Sequence, residues 1–578
     1  MYARRGARER VMPGARFSLR LAVTWAISAL AVLSSRACAD RSKSSAVSDC
    51  AQLPIWPLPQ HCEATVGHGQ PLRLDGNFTI EYSGSSRRLR RAIRRYSTLV
   101  HYTISNVSLS GEVKALRLVV DNEADSYPGW GTNTNHTVIV SATEAVVEAG
   151  SIYGAMYGME TFAQLTASGA LGFERVMVND WAARDYRSLM IDTGRRFFPP
   201  SLVRAYLDAM SYVKMSVLHL HLTDEFRWSV ESTRYPALTN HLEPGEFYTQ
   251  AELRSLIDYA SDRGIRLVPE VDVPAHSNCM QPLEGTVVFC SDTHTAGHPT
   301  CSTELGSKCP PQGQLYDDPA NKTMDVVRSL LSEVASIFAE EPLFHMGGDE
   351  TLPMGACSKD SIGGFYAKVL NHLASLGKTP AAWQEVLWGS FGSKDMAPAA
   401  TIPKDTVFEI ALDTAGHWDN RPVTCGNLTA YGSRCINSLV EHTYLDICGG
   451  TANMWFDLDV GLANPSAERS LVGGEVCLWS HLWCPGYNTG PWGYMVVPEM
   501  FDEAKDMVFA ESAMRWTWPR TAAAAGAFWH YDNTLSKEAL LQKISQFNVL
   551  VLQRRGVLSC PEGCSCQTHS FCNMTYLA

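Results

Sequence analysis

Long apolar runs, excess positive charge and internal repeats are all scarce in this chain. Residues 21–33 form an uninterrupted stretch of apolar and small residues that is too short to span a bilayer comfortably, and no other stretch is apolar enough for a transmembrane helix. The formal net charge of -12 argues against a nucleic-acid partner. Without repeats, and with 45% hydrophobic residues over 578 positions, the composition indicates an ordinary globular protein of about two to four domains.

The amino-terminal residues predict a targeting segment. Arg16 and Arg20 precede the apolar run, and the small residues on either side of Cys38 offer a cleavage site. We therefore expect residues 1–39 to be a cleaved signal peptide, with no stable membrane span after cleavage, and residues 40–54 to be a linker. Met12 is an alternative start that would give this segment a more typical length.

Cysteine and asparagine patterns agree with export. Of 17 cysteines, sixteen remain without Cys38, and an even number in an exported chain predicts a disulfide framework. The last four cysteines lack two CxxC pairs, so we expect disulfides rather than zinc at Cys560, Cys564, Cys566 and Cys572. Candidate glycosylation sites are Asn77, Asn106, Asn135, Asn321, Asn427 and Asn573. These features predict passage through the secretory pathway, to the outside or to a lysosome-like compartment.

Residues 55–182 predict a small α+β domain. Hydrophobic patterning places strands at residues 72–74, 78–82, 116–120, 137–141 and 145–148, and helices at 86–102 and 151–166. The first of these helices carries many arginines away from its apolar face. They indicate a solvated basic face or, alternatively, a site for an anionic glycan.

Residues 183–578 predict a (β/α)8 barrel that ends in a cysteine-rich tail. Short apolar runs alternate here with amphipathic helices, which is the rhythm of parallel strands joined by helical crossovers. The eight predicted strands cover residues 189–192, 217–222, 265–269, 343–347, 381–383, 407–411, 439–445 and 475–479.

Acids, histidines and tryptophans follow the ends of these runs, where a barrel of this kind places its active site. The fourth run passes through Gly347 and Gly348 to the adjacent acids Asp349 and Glu350. Glycines there would let the backbone approach a substrate closely. The alternative interpretation is a helix start, with Asp349 as its N-cap.

Two chemistries fit these strand ends. His219 and His221 lie on one face of a strand and could bind zinc together with Asp224, Asp272, His276 or His345, although the same histidines could instead orient the acids. Glycoside hydrolysis needs a carboxylic acid to protonate the leaving oxygen, and sugars stack well on tryptophan. Adjacent residues of a strand point to opposite sides, so Asp349 and Glu350 would act on different parts of the substrate.

In these residues the chain resembles the family 20 glycoside hydrolases, the β-N-acetylhexosaminidases. Residues 345–350, His-Met-Gly-Gly-Asp-Glu, are similar to the family's catalytic H-x-G-G-D-E motif, and further similar segments are residues 187–193, 218–224, 270–276, 383–385, 444–446 and 474–479. The resemblance implies exo-acting removal of terminal β-linked GlcNAc or GalNAc from glycoconjugates or chitooligosaccharides. It implies no cofactor and no metal, a carbohydrate as the partner, and a homodimer as a candidate assembly.

The family mechanism is substrate-assisted: the 2-acetamido oxygen attacks the anomeric carbon and forms an oxazolinium ion. Glu350 would then be the general acid and later the base, and Asp349 would orient the acetamide nitrogen. The other implied roles are Tyr444 on the acetamide oxygen, Trp383 and Trp479 as pocket walls, Arg187 on the 3- and 4-hydroxyls, Asp446 on the 4- and 6-hydroxyls, Asp272 and His276 as a relay to Glu350, and Asp224 as structural support.

Two positions depart from the family pattern. His481 stands where many relatives carry a glutamate that contacts sugar hydroxyls, and Ala411 stands near the position of a third pocket tryptophan, for which Trp418 could substitute. Both put the gluco or galacto preference in doubt. The competing hypotheses are a metal-dependent barrel hydrolase and a catalytically silent glycan-binding relative.

Overall fold

The computed structural model describes residues 45–47, 49–66, 72–104, 112–168, 170–290, 313–351, 357, 359–388, 401–411, 425–428, 432–445, 470–480 and 503–560. The predicted signal peptide therefore lies outside the described residues. Among the residues that are described, no helix is both long and apolar enough to cross a membrane.

An eight-stranded mixed sheet with two helices comes first. Its strands are β1 Ser45–Val47, β2 His61–Val66, β3 Leu72–Glu81, β4 Val113–Val120, β5 His136–Ser141, β6 Ala145–Ala149, β7 Ala170–Leu171 and β8 Arg175–Asp180. The helices are α1 Arg87–Ile104 and α2 Ile152–Leu165. The spatial order is β1-β2-β8-β5-β6-β4-β3-β7, and both helices pack on one apolar core with the sheet. The sequence had indicated neither β2 nor β8.

The second part is a closed parallel barrel, which confirms the predicted fold class. The strands are β9 Tyr186–Asp192, β10 Val217–His221, β11 Arg266–Glu270, β12 Leu343–His345, β13 Thr379–Trp383, β14 Val407–Ile410, β15 Arg434–Asn437 and β16 Leu471–Leu478, and β16 pairs with β9. The helices are α3 Pro200–Tyr212, α4 Gln250–Ser261, α5 Lys322–Ile337, α6 Lys359–Ser375, α7 Glu385–Trp388, α8 Cys425–Leu428, α9 Val440–Thr443, α10 Glu503–Thr517, α11 Arg520–Trp529 and α12 Lys537–Phe547. The domain boundaries at 54/55 and 182/183 stay predictions.

The seventh predicted strand was wrong in position. Residues 439–445 contain α9, and the strand that pairs with β14 and β16 is β15 instead. The side chain of Asn437 accepts a hydrogen bond from the backbone of Leu439 at 3.2 Å, which turns the chain out of the sheet at that point.

Arginines of α1 join the two parts of the chain. Arg88 and Arg91 form ion pairs of 3.1 and 2.5 Å with Asp262, the residue that caps the end of α4. Part of the basic face is therefore an internal contact, which corrects the expectation of a wholly solvated face. Trp56 adds a buried apolar contact, and its indole N–H donates to the carbonyl of Ala522 at 2.7 Å.

The barrel interior changes from apolar to polar along its axis. Near the amino ends of the strands lies a buried apolar layer made of Tyr186, Val217, Val268, Leu343, Ala381, Val407 and Ile436. Above it, histidines and glutamates of β10, β11, β12, β14 and β16 fill the interior, with less than 3% exposure each. A polar layer under the strand ends is costly unless its groups are paired, so it points to a function for them.

Three disulfides lie in the described residues: Cys50–Cys62, Cys290–Cys357 and Cys425–Cys435. Cys560 is also disulfide-bonded, whereas the rest of the carboxyl-terminal cysteine cluster lies outside the described residues. Cys279 and Cys477 are buried thiols, so the framework does not include every cysteine. Asn77, Asn135 and Asn321 are exposed, as a glycan would require; Asn106, Asn573 and the side chain of Asn427 lie outside the described part of the chain.

Candidate active site

The turn after β12 places the acid pair at the carboxyl end of the barrel. Gly347, Gly348 and Glu350 have positive φ values of 68, 95 and 51 degrees. The described residues 346–351 contain no helix, so the alternative interpretation of Asp349 as a helix N-cap is not observed. A Cβ on Gly347 would collide with the carboxylate of Asp272, and one on Gly348 would lie 2.6 Å from Val386. Protein neighbours therefore leave room only for glycine at these two positions. The sequence had instead suggested that the glycines serve the close approach of a substrate.

Both acids face one imidazole nitrogen. His276 Nε2 lies 3.3 Å from Glu350 Oε2 and 3.8 Å from Asp349 Oδ2. Glu350 is the more open of the two, with 31% of its side chain exposed against 16% for Asp349. Burial raises the pKa of Asp349, and the Glu350 carboxylate adds to this shift while His276 opposes it.

The other nitrogen of His276 contacts Asp224, to which the sequence had assigned only structural support. His276 Nδ1 lies 3.4 Å from Asp224 Oδ1, and Asp224 also contacts His221 and Arg195 at 2.7 and 3.0 Å. Burial alone would raise the pKa of Asp224, but Arg195 and His276 hold it well below its ordinary value. A negative charge on Asp224 is therefore favoured next to His276.

Asp272 serves the turn of the acid pair. Its Oδ1 accepts the backbone N–H of Gly348 at 2.9 Å, and its own backbone N–H donates to Thr223. Burial raises the pKa of Asp272 well above its ordinary value, and the nearby Asp349 carboxylate raises it further. Both carboxyls therefore bind a proton more readily than an isolated aspartate does.

Aromatic side chains form a wall beside the acids. The rings of Trp383 and Trp479 lie 6.0 Å apart, and Tyr444 lies 6.1 Å from Trp479. The indole N–H of Trp383 donates to Glu270 Oε1 at 3.0 Å, which fixes the plane of that ring. Ala411 packs in the same cluster as the two tryptophans, so this position belongs to the wall.

Arg187 is at the wrong end of the barrel for the role expected of it. It lies near the start of β9, five residues before Asp192 and thus roughly 16 Å from the strand end. The side chain is buried and donates to the carbonyls of Lys214 and Arg184 at 2.9 and 2.6 Å. Arg187 therefore cannot reach a sugar at the carboxyl ends of the strands.

Arg195 occupies the place that was expected of Arg187. It follows β9, contacts Asp192 and Asp224 at 3.2 and 3.0 Å, and lies with its guanidinium 5.1 Å from the ring centre of Trp479. Its position after a strand end was the signal that could have identified it. Asp446, His481 and Trp418 lie outside the described residues.

Several histidines and acids of the interior are close enough together to suggest a metal site. One group is His219, Glu270 and His345, and another is Asp192, His221 and Asp224. Burial lowers the pKa of an imidazole, yet Glu475 and Glu270 raise that of His219 to about 10, and Glu270 and Asp224 raise that of His221 well above its ordinary value. When protonated, the imidazoles of His219 and His221 only donate, so these two residues fit their carboxylate partners better than a metal ion.

A (β/α)8 barrel with an acid pair and an aromatic wall at its carboxyl ends defines a glycoside hydrolase. Residues 185–484 match the model of "Glycosyl hydrolase family 20, catalytic domain". The chain therefore belongs to glycosyl hydrolase family 20, and it is a hydrolase of glycosidic bonds.

Relatives and solved structures agree with this assignment. The chain is 27% identical to beta-hexosaminidase 1 of Arabidopsis thaliana over 88% of this chain and 91% of that protein. It is 26% identical to the human beta-hexosaminidase subunit beta over 74% and 78%. Similar solved structures are the chitobiase of Flavobacterium johnsoniae (TM-score 0.66, 22% identity, 88% and 74% covered) and a Streptomyces plicatus beta-hexosaminidase (TM-score 0.62, 20% identity, 88% and 96% covered).

Proposed function

We propose that this chain is an exo-acting β-N-acetylhexosaminidase that removes terminal β-linked GlcNAc or GalNAc by a substrate-assisted, retaining mechanism. The observation that carries the proposal is the environment of Asp349. Its Oδ1 is buried and lacks a hydrogen-bond partner among the described residues, while Oδ2 faces His276. A buried carboxylate oxygen without a donor fits the N–H of a substrate acetamide.

Bond making and breaking follow from that placement. Glu350 donates its proton to the glycosidic oxygen as the acetamide oxygen attacks the anomeric carbon, and the leaving sugar departs as an alcohol. Asp349 holds the acetamide N–H and balances the positive charge of the oxazolinium ion. Water then attacks the anomeric carbon, Glu350 takes its proton, and the acetamide re-forms with retention of configuration.

The other contacts of the sugar belong to the same proposal. Trp383 and Trp479 pack against the acetamide methyl group, and Tyr444 donates to the acetamide oxygen. Arg195 replaces Arg187 as the candidate for the sugar hydroxyls, supported by its position above Trp479. Asp446 keeps its predicted role on the 4- and 6-hydroxyls. The relatives named β-hexosaminidases support this assignment of substrate class.

A series of aryl glucosaminides with mono-, di- and trifluorinated acetamides tests the mechanism. Each fluorine makes the acetamide oxygen a poorer nucleophile, so kcat/KM should fall steeply along the series. A rate that does not depend on fluorination would show that a protein group or bound water attacks instead. In the same assay Glu350→Gln should lower kcat about 10²- to 10⁴-fold with an unchanged melting temperature, and near-normal turnover would contradict its role as the acid.

The compartment and assembly complete the proposal. Disulfides form in oxidising compartments, and exposed sequons suit a secreted or lysosome-like glycoprotein. Metabolic labelling with a glycan-removing enzyme as readout tests this passage. A homodimer stays a prediction that sedimentation would test.

A further inference from the structure

A continuous row of buried acids and imidazoles runs from the floor of the barrel to the acid pair. It begins at Tyr186 on β9, whose hydroxyl donates to Glu475 Oε2 on β16 at 3.1 Å. His219 of β10 comes next, with Nδ1 2.9 Å from Glu475 Oε1 and Nε2 3.3 Å from Glu270 Oε2. The imidazole of His219 therefore lies between two carboxylates.

Glu270 is the branch point of this row. Its Oε2 accepts a hydrogen bond from His221 Nδ1 at 2.6 Å. Its Oε1 accepts the indole N–H of Trp383 at 3.0 Å and lies 3.0 Å from His345 Nδ1. One buried carboxylate therefore contacts both the pocket wall and the row that continues to the acid.

The upper half of the row ends at Glu350. His221 Nε2 donates to Asp224 Oδ2 at 2.7 Å, and Asp224 Oδ1 faces His276 Nδ1 at 3.4 Å. His276 Nε2 then lies 3.3 Å from Glu350 Oε2. Between Glu270 and the acid there are thus two imidazoles and one carboxylate, all less than 3% exposed.

We propose that Glu270 and His221 are positioning residues of the hydrolysis: together they set the protonation of the Asp224–His276 pair that faces Glu350, and Glu270 also holds Trp383 against the acetamide. The proposal rests on the proposed function. It gives Glu270 and His221 a role in the reaction, although both lie beneath the site and do not touch the substrate.

In this row, negatively charged carboxylates alternate with positively charged imidazoles. The charged groups on the neighbouring elements support that alternation. Burial raises the pKa of a carboxyl, yet His221 and His345 hold that of Glu270 well below its ordinary value. Facing the upper half are Asp192 at the end of β9, Arg195 after β9, Glu225 after β10, and the pair Asp272 and Asp349. Facing the lower half is Glu409 of β14, whose pKa is raised well above its ordinary value by burial and by Glu475, which favours its protonated form.

Two substitutions by glutamine should move the basic limb of the pH profile of kcat/KM in opposite directions. This limb is the fall in kcat/KM that accompanies loss of the proton from Glu350. Glu270→Gln removes a negative charge, which lowers the pKa of His276 and Glu350 and moves the limb to lower pH. His221→Gln removes a positive charge and moves the limb to higher pH. Each displacement should be roughly half to one pH unit for charges two links from the acid. Glu270→Gln should also raise KM for an N-acetylglucosaminide, because the hydrogen bond to Trp383 is altered.

Glu409→Gln is the matched control, since Glu409 is equally buried in the same layer and its raised pKa means that its replacement removes less charge than that of Glu270. It should leave the limb in place. The proposal would be overturned if the basic limb stays at the wild-type pH in both test variants, or if it moves in the same direction in both. A merely structural role would lower the maximum of kcat/KM without changing the pH at which kcat/KM falls.

The imidazole pKa of His276, measured by NMR of ¹⁵N-histidine-labelled full-length protein, separates this proposal from the proposed function. It should fall in Glu270→Gln and rise in His221→Gln even without turnover. If the wild type is inactive but the pKa of His276 changes as expected in the variants, the proposed function is rejected and the electrostatic link to His276 is retained. If the wild type is active and the pKa of His276 does not change, the proposed function is retained and the positioning role is rejected. If Glu270→Gln fails to fold, the displacement in His221→Gln alone decides.

Discussion

His276 lies with Nδ1 3.4 Å from Asp224 Oδ1, and its other nitrogen faces Glu350. The two residues come from different strand ends, after β11 and β10, and neither is adjacent to the acid in the chain. The charged form of Asp224 favours a protonated His276, and Coulomb attraction from Asp224 raises the pKa of His276 well above its ordinary value against the effect of burial. The Asp224–His276 pair therefore influences the protonation of Glu350 through the imidazole.

Asp224→Asn should displace the basic limb of kcat/KM to lower pH and reduce kcat about 10²-fold or more. The reason is the loss of the anion that raises the pKa of His276. Asp272→Asn is the matched control, because burial and Asp349 raise the pKa of Asp272, so that its replacement removes less negative charge near His276 than that of Asp224. Displacement in Asp272→Asn but not in Asp224→Asn would restore the relay that the sequence had suggested.

Gly347→Ala should abolish activity and lower the free energy of unfolding by about 3 kcal/mol or more, since the new Cβ would collide with Asp272 at a φ of 68 degrees. Gly377→Ala provides the comparison. Gly377 has a φ of 76 degrees but nothing within 4 Å of a Cβ, so that variant should lose about 1 kcal/mol and no activity. Urea denaturation measures both, and equal losses would show that strain alone, without the collision, sets the effect.

Arg187→Met should cost about 2–4 kcal/mol of stability with an unchanged KM, because buried carbonyls of Lys214 and Arg184 lose their donor. Arg195→Lys should instead lower kcat/KM at least about tenfold, through the loss of a planar fork at the site. Denaturation and steady-state kinetics on both variants separate the two roles. A raised KM in Arg187→Met would contradict the place given to this residue.

The melting temperature should be highest between about pH 4.5 and 6.5. Below its unfolded pKa of 6.5, His219 contributes its full stabilisation, which is lost as the pH rises through its folded pKa of about 10. The pKa of Glu475 is lowered by His219 against burial, so its contribution is present above 4.5 and is lost as the pH falls through the folded value. Glu475→Gln should reduce the alkaline slope; an unchanged slope would show that the pair does not contribute.

Much of the fold and the acid pair could be predicted from the sequence, because strand runs followed by acids are local patterns. The seventh strand could not, because Leu439, Val440, Tyr444 and Leu445 give the residues after Asn437 the apolar content of a strand, although β15 ends at Asn437. β8 alternates between buried and exposed positions, and this period-two pattern was present but missed.

The partners of the site residues were harder to predict, because they depend on how strand ends meet in space. Nothing in the spacing of Asp272 and His276 shows that His276 turns, with a φ of 50 degrees, towards Asp224. Similarly, Arg187 and Arg195 flank the same strand, and only the direction of β9 decides which of them reaches the site.

The most direct test of the account is hydrolysis of an aryl β-N-acetylglucosaminide beside the matching aryl β-glucoside at mildly acidic pH. We expect turnover of the first and none of the second, because the glucoside lacks the acetamide oxygen that attacks and the N–H that Asp349 Oδ1 accepts. Comparable cleavage of both substrates, or of neither by the folded protein, would contradict the substrate-assisted mechanism.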